Sequence, residues 1–402
     1  MDQSQAQKRK RTAIHEARIE NRTVLPSTAV PRLCKQVQHQ FSAHYPWMCR
    51  RYSTMASVPL MLTQEIKDLV AYLSPTDEEN TIRRLVFRSI KRAILSLWPN
   101  AQVDIYGSYD TGLCLPTSDL DILVRKQDEV TQRNIRLLAG RLQKLGIATS
   151  VELVLYAKVP LIKFKERCSN IDVDISFNKP SGVDGAAVSK DFMDRTPGLK
   201  PLTILVKHFL MIRGLNEPYS GGLGSYGTML MILSFLQRHP MVSTGLINPS
   251  ENLGVLFIEF MELYGRHFNF EDVGMSVTDG GSYFPMPQMY NESHNTTRRE
   301  TGQGAKAQSQ LKNVRIIMLD PLDPQNNVTK PAFKYPAVMS HFAKAYERIT
   351  AAVEIRHKEL LHGESAVVGE VSLIDGILWV SQEIINRREE LRLVYMNRDM
   401  FM

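Results

Sequence analysis

The hydrophobic pattern becomes regular just after residue 74, where it predicts an amphipathic helix. Ser74-Pro75 and the spacing Thr76-x-x-Glu79 are typical of a helix start, and Pro99 limits the helix at its other end. Between these limits one apolar stripe recurs at helical spacing, through Ile82, Leu85, Val86, Ile90, Ile94, Leu97 and Trp98. A helix with one buried face therefore begins the regular part of the chain.

Short apolar segments after this helix predict β-strands, and later segments predict helices. Strands are predicted in AQVDIYG (101–107), DLDILVR (119–125), VELVLYAKVPLIKFKE (151–166) and IDVDISFN (171–178). From Pro201 the apolar residues recur at helical spacing, in LTILVKHFLMIRGL, SYGTMLMILSFLQRHP and NLGVLFIEFMELYGRHF. The pattern predicts an α+β chain, with a sheet domain followed by a largely helical domain.

Pattern and composition together divide the chain into five segments. They are a disordered basic tail (1–57), a helical segment packed on the central domain (58–85), a sheet domain (86–190), a helical central domain (191–355) and a C-terminal helical segment (356–402). A polar stretch at about residues 290–310 has almost no apolar anchors, so we expect a mobile surface insertion there. Within the tail, the basic run Lys8–Arg11 is either a nuclear localisation signal or a solvated charge run.

Composition and charge narrow the classes of partner. Lys and Arg (49) exceed Asp and Glu (42) by 7 in this chain of 402 residues, which favours a polyanion such as RNA. No run of about 18 apolar residues occurs, so we expect neither a membrane span nor a membrane partner. The first residues lack the apolar core of a secretory signal. The four cysteines show no Cys-x-x-Cys pairing, so we expect no zinc site.

Two pairs of aspartates interrupt apolar strands. Asp119 and Asp121 are two positions apart and therefore project from one face, and Asp172 and Asp174 repeat this arrangement in a second strand. Several carboxylates on one sheet face cost several kcal/mol in repulsion and desolvation unless cations neutralise them. Two Mg²⁺ ions about 3.5–4 Å apart would neutralise them and could activate an attacking oxygen. The alternative is an exposed sheet edge whose charges serve solubility.

A Gly-Ser turn adds weight to the metal hypothesis. Gly107-Ser108 follows a predicted strand, where glycine lets a phosphate approach the backbone N–H groups and serine adds a hydroxyl donor. A Gly-Ser pair alone is an ordinary turn. The specific signal is the combination of four features in order: the Gly-Ser pair, a ten-residue spacer, the sequence Asp-Leu-Asp, and a further aspartate in a later strand.

At these residues the sequence resembles the DNA polymerase β-like nucleotidyltransferase superfamily, and within it the non-canonical poly(A) polymerases of the TRAMP type. The resemblance extends from Ser74 to Phe333 and includes GSYDTGLCLPTSDLDILV, VPLIKFKE, NIDVDISFN, NLGVLFIEFMELYG, VTDGGSYF and DPLDPQNNV. It implies that 86–190 is a polymerase-β-like catalytic domain packed against the helical central domain, with a cleft between them.

The resemblance also implies roles for individual residues. Asp119 and Asp121 would hold two Mg²⁺ ions, or Mn²⁺ in their place, and Asp174 would orient the ion that activates an RNA 3′-hydroxyl. Asp172, on the same strand, is the alternative third carboxylate. Gly107 and Ser108 would bind the β- and γ-phosphates, and Lys207 would contact the triphosphate. Without the resemblance, Lys207 would be interpreted as a solvent-exposed charge on a helix face.

Base recognition is implied at two further places. Tyr226 matches the aromatic residue that stacks on the base, with Ser225 beside it, although a tyrosine opening an apolar helix is usually core packing. DPLDPQNNV matches the nucleotide-recognition motif and is also a Pro-Asp-Asn turn, with its polar positions at Asp320, Asp323, Asn326 and Asn327. Uridylyl-transferring relatives often carry His where Asn326 stands, so Asn favours ATP.

Together these features predict a template-independent adenylyltransferase that extends RNA 3′ ends by a two-metal mechanism. The alternatives are a terminal uridylyltransferase of the same fold and a catalytically silent scaffold. No RRM signature, KH loop or zinc knuckle is recognisable, so we expect a weak hold on RNA. The resemblance implies a zinc-knuckle RNA-binding protein, an RNA helicase and the nuclear exosome as partners. We expect a nuclear location, with mitochondrion and cytoplasm as alternatives.

Overall fold

The computed structural model describes residues 45–48, 55, 57–156, 159–178, 181–286, 316–362 and 372–401. These residues form two hydrophobic cores, one around a five-stranded sheet and one among helices. The basic run Lys8–Arg11, most of the predicted tail and the insertion near 290–310 lie outside the described residues. None of the helices in these ranges combines the length and apolar character needed to cross a membrane.

The regular elements follow the predicted change from sheet to helices. The strands are β1 (Gln102–Tyr106), β2 (Leu120–Arg125), β3 (Ala148–Val154), β4 (Leu161–Glu166), β5 (Asp172–Phe177), β6 (Val273–Ser276) and β7 (Ser282–Pro285). The helices are α1 (Val58–Leu73), α2 (Asp77–Leu97), α3 (Gly107–Asp110), α4 (Gln132–Lys144), α5 (Ser181–Arg195), α6 (Leu199–Met211), α7 (Ser225–Arg238), α8 (Pro240–Ser243), α9 (Leu253–Glu262), α10 (Tyr335–His362) and α11 (Gln382–Met396).

The large sheet has the strand order β1-β2-β5-β4-β3. Its neighbouring strands are antiparallel except for the central pair, β2 and β5, which is parallel. In β2 the residues Leu120, Ile122 and Val124 are fully buried in the sheet core, as their alternation predicts. The intervening face is therefore free to carry the aspartates.

Helix α2 confirms the predicted helix start. The Thr76 hydroxyl accepts a hydrogen bond from the Glu79 N–H at 3.2 Å, and the Thr76 N–H donates to the Glu79 carboxylate at 3.1 Å. This reciprocal pair is a capping box, which satisfies two N–H groups that the first helical turn leaves without partners. The predicted apolar stripe, including Ile82 and Val86, is buried against the sheet.

The segment predicted as 58–85 divides between the two cores. Helix α1 packs in the helical core, whereas α2 packs on the sheet, because Pro75 separates two helices whose apolar stripes face different partners. The predicted boundary at 85/86 therefore lies inside α2, and those at 190/191 and 355/356 lie inside α5 and α10.

Part of the predicted tail is packed rather than disordered. Trp47 and Met48 are buried in the helical core, and the ring of Tyr45 meets that of Trp47 edge-on at 5.6 Å. One tryptophan and one methionine supply a large apolar surface in a segment too short to show periodicity. The expectation of a tail extending to residue 57 therefore needs correction at residues 45–48.

The C-terminal helix joins both parts. In α11, Leu391 is buried in the sheet core, and the Arg388 guanidinium donates to the carbonyls of Tyr72 and Ser74, where α1 gives way to α2. Arg388 also lies 3.6 Å from the Glu79 carboxylate, and both side chains are buried. The junction between the two cores is thus held by a charged group from a distant part of the sequence.

Candidate active site

The parallel pairing of β2 and β5 brings two predicted site aspartates side by side. Asp121 and Asp174 occupy paired positions, and paired positions on neighbouring strands lie about 4.8 Å apart. Asp119 precedes the first residue of β2 and is exposed. The sheet therefore collects the three carboxylates at the start of its two central strands.

Burial and the charges of neighbouring carboxylates raise the pKa values of Asp121 and Asp174. Burial, followed by the charges of Asp119 and Asp174, raises the pKa of Asp121 to about 7. Burial also raises the pKa of Asp174, against the effect of Lys163, whose Nζ lies 2.5 Å from its Oδ2. The site thus concentrates more negative charge than the surrounding protein compensates.

The Gly-Ser turn lies directly against Asp121. Tyr106, the last residue of β1, is paired with Asp121, and Gly107 follows with φ of +71°. A side chain at Gly107 would overlap the Asp121 carboxylate, so both the backbone conformation and the space require glycine. Ser108 continues into α3. The structure thus brings the predicted phosphate-binding turn and the carboxylates together.

Lys207 reaches the same region from the helical domain. It lies on α6, is only 7% exposed, and its Nζ donates to the Leu113 carbonyl at 2.9 Å. Burial lowers its pKa, whereas the charges of Asp119 and Asp121 act in the opposite direction. A cation from the helical domain therefore acts electrostatically on carboxylates from the sheet domain.

Three residues of the predicted base-recognition set form one hydrogen-bonded group. The Tyr226 hydroxyl donates to Oδ1 of Asp320 at 3.2 Å, and Nδ2 of Asn326 donates to Oδ2 of the same carboxylate at 3.1 Å. Tyr226 is half-buried against the helical core, at the start of α7 beside Ser225. Both alternatives for this ring, packing and presentation to a ligand, are compatible with its position.

The other two predicted residues of this motif are engaged in shaping the loop. Asn327 accepts hydrogen bonds from the N–H groups of Met318 and Thr329 and donates Nδ2 to the Ile316 carbonyl, each at 3.1 Å. The exposed Asp323 accepts from the Gln325 N–H at 3.1 Å. Asn327 therefore acts within the fold, and Asp323 closes its own turn.

Asp172 is separated from this group. Its side chain is 55% exposed and pairs with Lys165 at 2.7 Å, whereas the Asp174 side chain is 19% exposed. The ladder between β2 and β5 begins at Leu120 and Val173, one position after Asp172. Asp174 is consequently the residue of β5 that faces Asp121.

Sequence reasoning missed Lys163. Its position follows from the antiparallel pairing of β4 with β5, which sets Lys163 opposite Asp174 and Lys165 opposite Asp172. The alternation in LIKFKE places both lysines on one face. That signal becomes informative only when the partner strand and its register are known.

The donor chemistry of the site fits divalent cations, although the side chains do not form a closed cage. Within the described ranges, no three ligating side chains converge closely enough to hold an ion as they stand. Asp121 is half-buried, however, and no described residue donates a hydrogen bond to it. Crowded carboxylates of this kind suit Mg²⁺, which takes one or two carboxylates and completes its shell with water and substrate phosphates.

We expect Asp121→Asn to stabilise the protein when a chelator is present. The folded-state pKa of Asp121, about 7, lies above its ordinary value of 3.8. Its contribution to stability is therefore complete below pH 3.8 and is lost progressively as the pH rises through 7. Asparagine removes this loss, which is on the order of 4 kcal/mol for a shift of about three units.

Thermal unfolding at two pH values measures this effect. The gain from Asp121→Asn should be large at pH 8 and smaller at pH 5. Glu129→Gln, at an exposed carboxylate of the same domain, is the control and should change neither value. Equal gains at both pH values would show that removal of the Asp121 charge is not their cause.

Comparisons with known proteins agree with this geometry. Residues 62–188 match the family model described as the central palm domain of mitochondrial-like poly(A) RNA polymerase. Residues 252–326 match that of the Cid1 family poly A polymerases. The first matched region falls on the sheet domain with its leading helices. The second falls on the helical domain and includes most of the segment 316–329, here called the Asp320 loop.

Two curated relatives and one solved structure extend the similarity. Poly(A) RNA polymerase cid14 of Schizosaccharomyces pombe is 34% identical over 367 residues, which are 90% of this chain and 51% of that protein. A Drosophila melanogaster relative, described as inactive non-canonical poly(A) RNA polymerase protein Trf4-2, is 32% identical over 82% of this chain and 75% of its own length. The chain spans about half the length of several curated relatives that it matches.

The solved structure is the polymerase core of TRAMP, described as an RNA surveillance complex. It is 35% identical to this chain, has a TM-score of 0.71, and covers 83% of this chain and 99% of its own. The shared fold thus extends over most of this chain and nearly all of that structure. The chain therefore belongs to the non-canonical poly(A) polymerases, within the DNA polymerase β-like nucleotidyltransferase superfamily.

Proposed function

We propose that the chain transfers AMP from ATP to the 3′ end of RNA without a template. The observation that carries this proposal is the pairing of Asp121 with Asp174, with Asp119 and the Gly107 turn beside them. In the proposed reaction an RNA 3′-hydroxyl attacks the α-phosphate of ATP and pyrophosphate leaves. Positioning and charge stabilisation supply most of the catalysis in such transfers.

Asp119, Asp121 and Asp174 are the residues proposed to hold the divalent ions. Two Mg²⁺ ions, or Mn²⁺ in their place, would neutralise the triphosphate and favour ionisation of the 3′-hydroxyl. Asp174, which is in contact with Lys163, is proposed to serve the attacking side.

The residues around the carboxylates are proposed to hold the triphosphate. Gly107 leaves room for a phosphate to approach the backbone, and the Ser108 hydroxyl adds a donor. Lys207 belongs to the helical domain, and its positive charge already acts on Asp119 and Asp121. Its ammonium group would stabilise charge that develops on the departing pyrophosphate.

Base selection is proposed to depend on the orientation of the Asn326 amide. A carboxylate only accepts hydrogen bonds, so Asp320 fixes Nδ2 of Asn326 toward itself and leaves the amide Oδ1 as the free acceptor. An acceptor suits the N6 amino group of adenine and disfavours the O4 carbonyl of uracil. The Tyr226 ring would stack on either base, with Ser225 beside it, so discrimination falls to the edge that Asn326 presents.

We expect Asp174→Asn to reduce RNA tailing by about 10²–10³-fold, the usual cost of removing one charge-stabilising group from an active site. Asp172→Asn is the matched control, because both aspartates lie on β5 and each pairs with a lysine of β4. It should retain activity within about threefold. Incorporation of labelled ATP into a short RNA measures both. If only the Asp172 variant lost tailing activity, Asp172 rather than Asp174 would be the third metal-binding carboxylate.

We expect a preference for ATP over UTP that falls about fivefold in Asn326→His, since one net hydrogen bond is worth about 1 kcal/mol and 1.4 kcal/mol corresponds to tenfold. Competition between the two nucleotides on one RNA gives the ratio directly. Asp323→Ala is the control, because Asp323 is exposed and bonds only within its own turn among the described residues. A wild-type preference for UTP would replace the adenylyl proposal by the uridylyl alternative.

The catalytically silent alternative has a precedent in the Drosophila relative described as inactive. The proposal of an active enzyme is supported by the retention of all three carboxylates and of glycine at position 107, where a side chain would displace Asp121. An inactive scaffold would have no use for crowded acidic groups that destabilise the fold. Absence of nucleotide transfer by the wild-type chain would favour the scaffold.

The proposal also covers the partners of the chain and its location in the cell. From the family resemblance we propose assembly with a zinc-knuckle RNA-binding protein, an RNA helicase and the nuclear exosome, and so the tagging of nuclear RNAs. The likeness to the TRAMP polymerase core, described as part of an RNA surveillance complex, supports a role within a complex. Nuclear residence is proposed on the same basis, with mitochondrion and cytoplasm as alternatives. Imaging of a tagged chain separates these three compartments.

If a partner supplies the hold on RNA, the isolated chain should extend RNA by few nucleotides in each encounter. A trap of excess unlabelled RNA, added with ATP at about 0.15 M salt, exposes the length added per encounter. The same assay at low salt is the control, because phosphate contacts strengthen there and tails should lengthen. Long tails in the presence of the trap at the higher salt would contradict a need for the partner.

A further inference from the structure

The loop that leads into the carboxylates is anchored in the other domain. This segment, 113–118, here called the cleft loop, connects α3 to β2 within the sheet domain. Its Leu113 and Leu115 are nevertheless buried in the helical core. Lys207 holds the Leu113 carbonyl from the same side. The helical domain thus fixes the first half of the cleft loop.

Arg83 holds the second half of the cleft loop from the sheet domain. Its Nη2 donates to the carbonyls of Pro116 at 3.1 Å and Leu115 at 3.4 Å. Arg83 is fully buried, and among the described residues no carboxylate forms an ion pair with it; its Nε and Nη1 have no hydrogen-bond partner there. A buried charge without a counter-ion is costly, and an apolar residue of similar size would serve stability better.

The two carboxylates of β2 depend on the cleft loop to different degrees. Asp121 is held by pairing on both sides, with Tyr106 and with Asp174. Asp119 precedes the strand, and its position follows from the turn before it. That turn is closed by hydrogen bonds from the Ser118 N–H to the Leu115 carbonyl and from the Leu115 N–H to the Ser118 hydroxyl, both at 3.0 Å.

We propose that Arg83 is a positioning residue for nucleotidyl transfer, which it serves by fixing the Leu115–Ser118 turn and hence the placement of Asp119. The inference rests on the proposed function, because it assigns Asp119 a part in the reaction. Arg83 touches neither Asp119 nor a substrate; it acts through two backbone carbonyls. This role accounts for an arginine at a buried position where the fold alone would favour an apolar side chain.

Arg83→Met tests the proposal, with Arg84→Met as the matched control. Arg84 is the next residue of the same helix and is exposed, and among the described residues its side chain donates only to the Asn80 carbonyl of its own helix. Arg83→Met should lower kcat by about 100-fold, since a displacement of about 1 Å can cost that much. KM for ATP should stay within about threefold, because the proposed triphosphate contacts at Gly107, Ser108 and Lys207 remain.

Hydrogen exchange gives a readout that does not depend on activity. In Arg83→Met, amide exchange should accelerate at residues 113–120 and stay unchanged in β5, whereas Arg84→Met should match the wild type throughout. Arg83→Lys keeps the charge and can reach one carbonyl, so its kcat should lie between those of the wild type and of Arg83→Met. A purely structural role would lower Tm without this graded change in kcat.

Three results would overturn the proposal. One is an Arg83→Met enzyme whose kcat and exchange match those of Arg84→Met. Another is a uniform rise in exchange with an unchanged kcat. If Arg83→Met does not fold, a wild-type kcat for Arg83→Lys would contradict the proposed positioning role of Arg83. Failure of the proposed function is distinguishable, because the wild-type chain itself would then transfer no nucleotide, whereas exchange would still report whether Arg83 holds the turn.

Discussion

The parallel pairing of β2 with β5 is the constraint on which the candidate site depends. It sets Asp121 beside Asp174 and creates a concentration of negative charge that the fold alone does not compensate. The surroundings are arranged around this charge. Gly107 makes room for one carboxylate, Lys163 binds the other, and the charge of Lys207, from the helical domain, acts on the group. Each of these features has a clear physical cause once the register of the two strands is fixed.

The helical domain contributes to the site as directly as the sheet does. It supplies Lys207, the group formed by Tyr226, Asp320 and Asn326, and the core in which the leucines of the cleft loop are buried. In the proposed function, chemistry and base choice thus fall to different domains, and the cleft loop connects the packing of the helical domain with the acidic strand of the sheet domain.

Local signals made much of this structure predictable. The capping box of α2, the alternation in β2 and the helical stripe of α7 depend on near neighbours in sequence, and all three elements formed as expected. Long-range pairing was not accessible. Nothing in the sequence alone states that β4 lies next to β5, so the contact of Lys163 with Asp174 could not be foreseen. The burial of Trp47 was missed for a related reason, because a short segment carries no periodicity.

The Asp320 loop is held in shape by contacts of its own. The side chains of Asn327 and Thr329 form hydrogen bonds with the loop backbone, and the Asp320 carboxylate orients the Asn326 amide from within the same turn. A recognition surface that is rigid before its ligand arrives loses little conformational entropy on binding, so more of the contact energy remains available for discrimination. Evolution can then exchange a residue at the tip of such a loop and obtain a different substrate preference without having to invent a new scaffold.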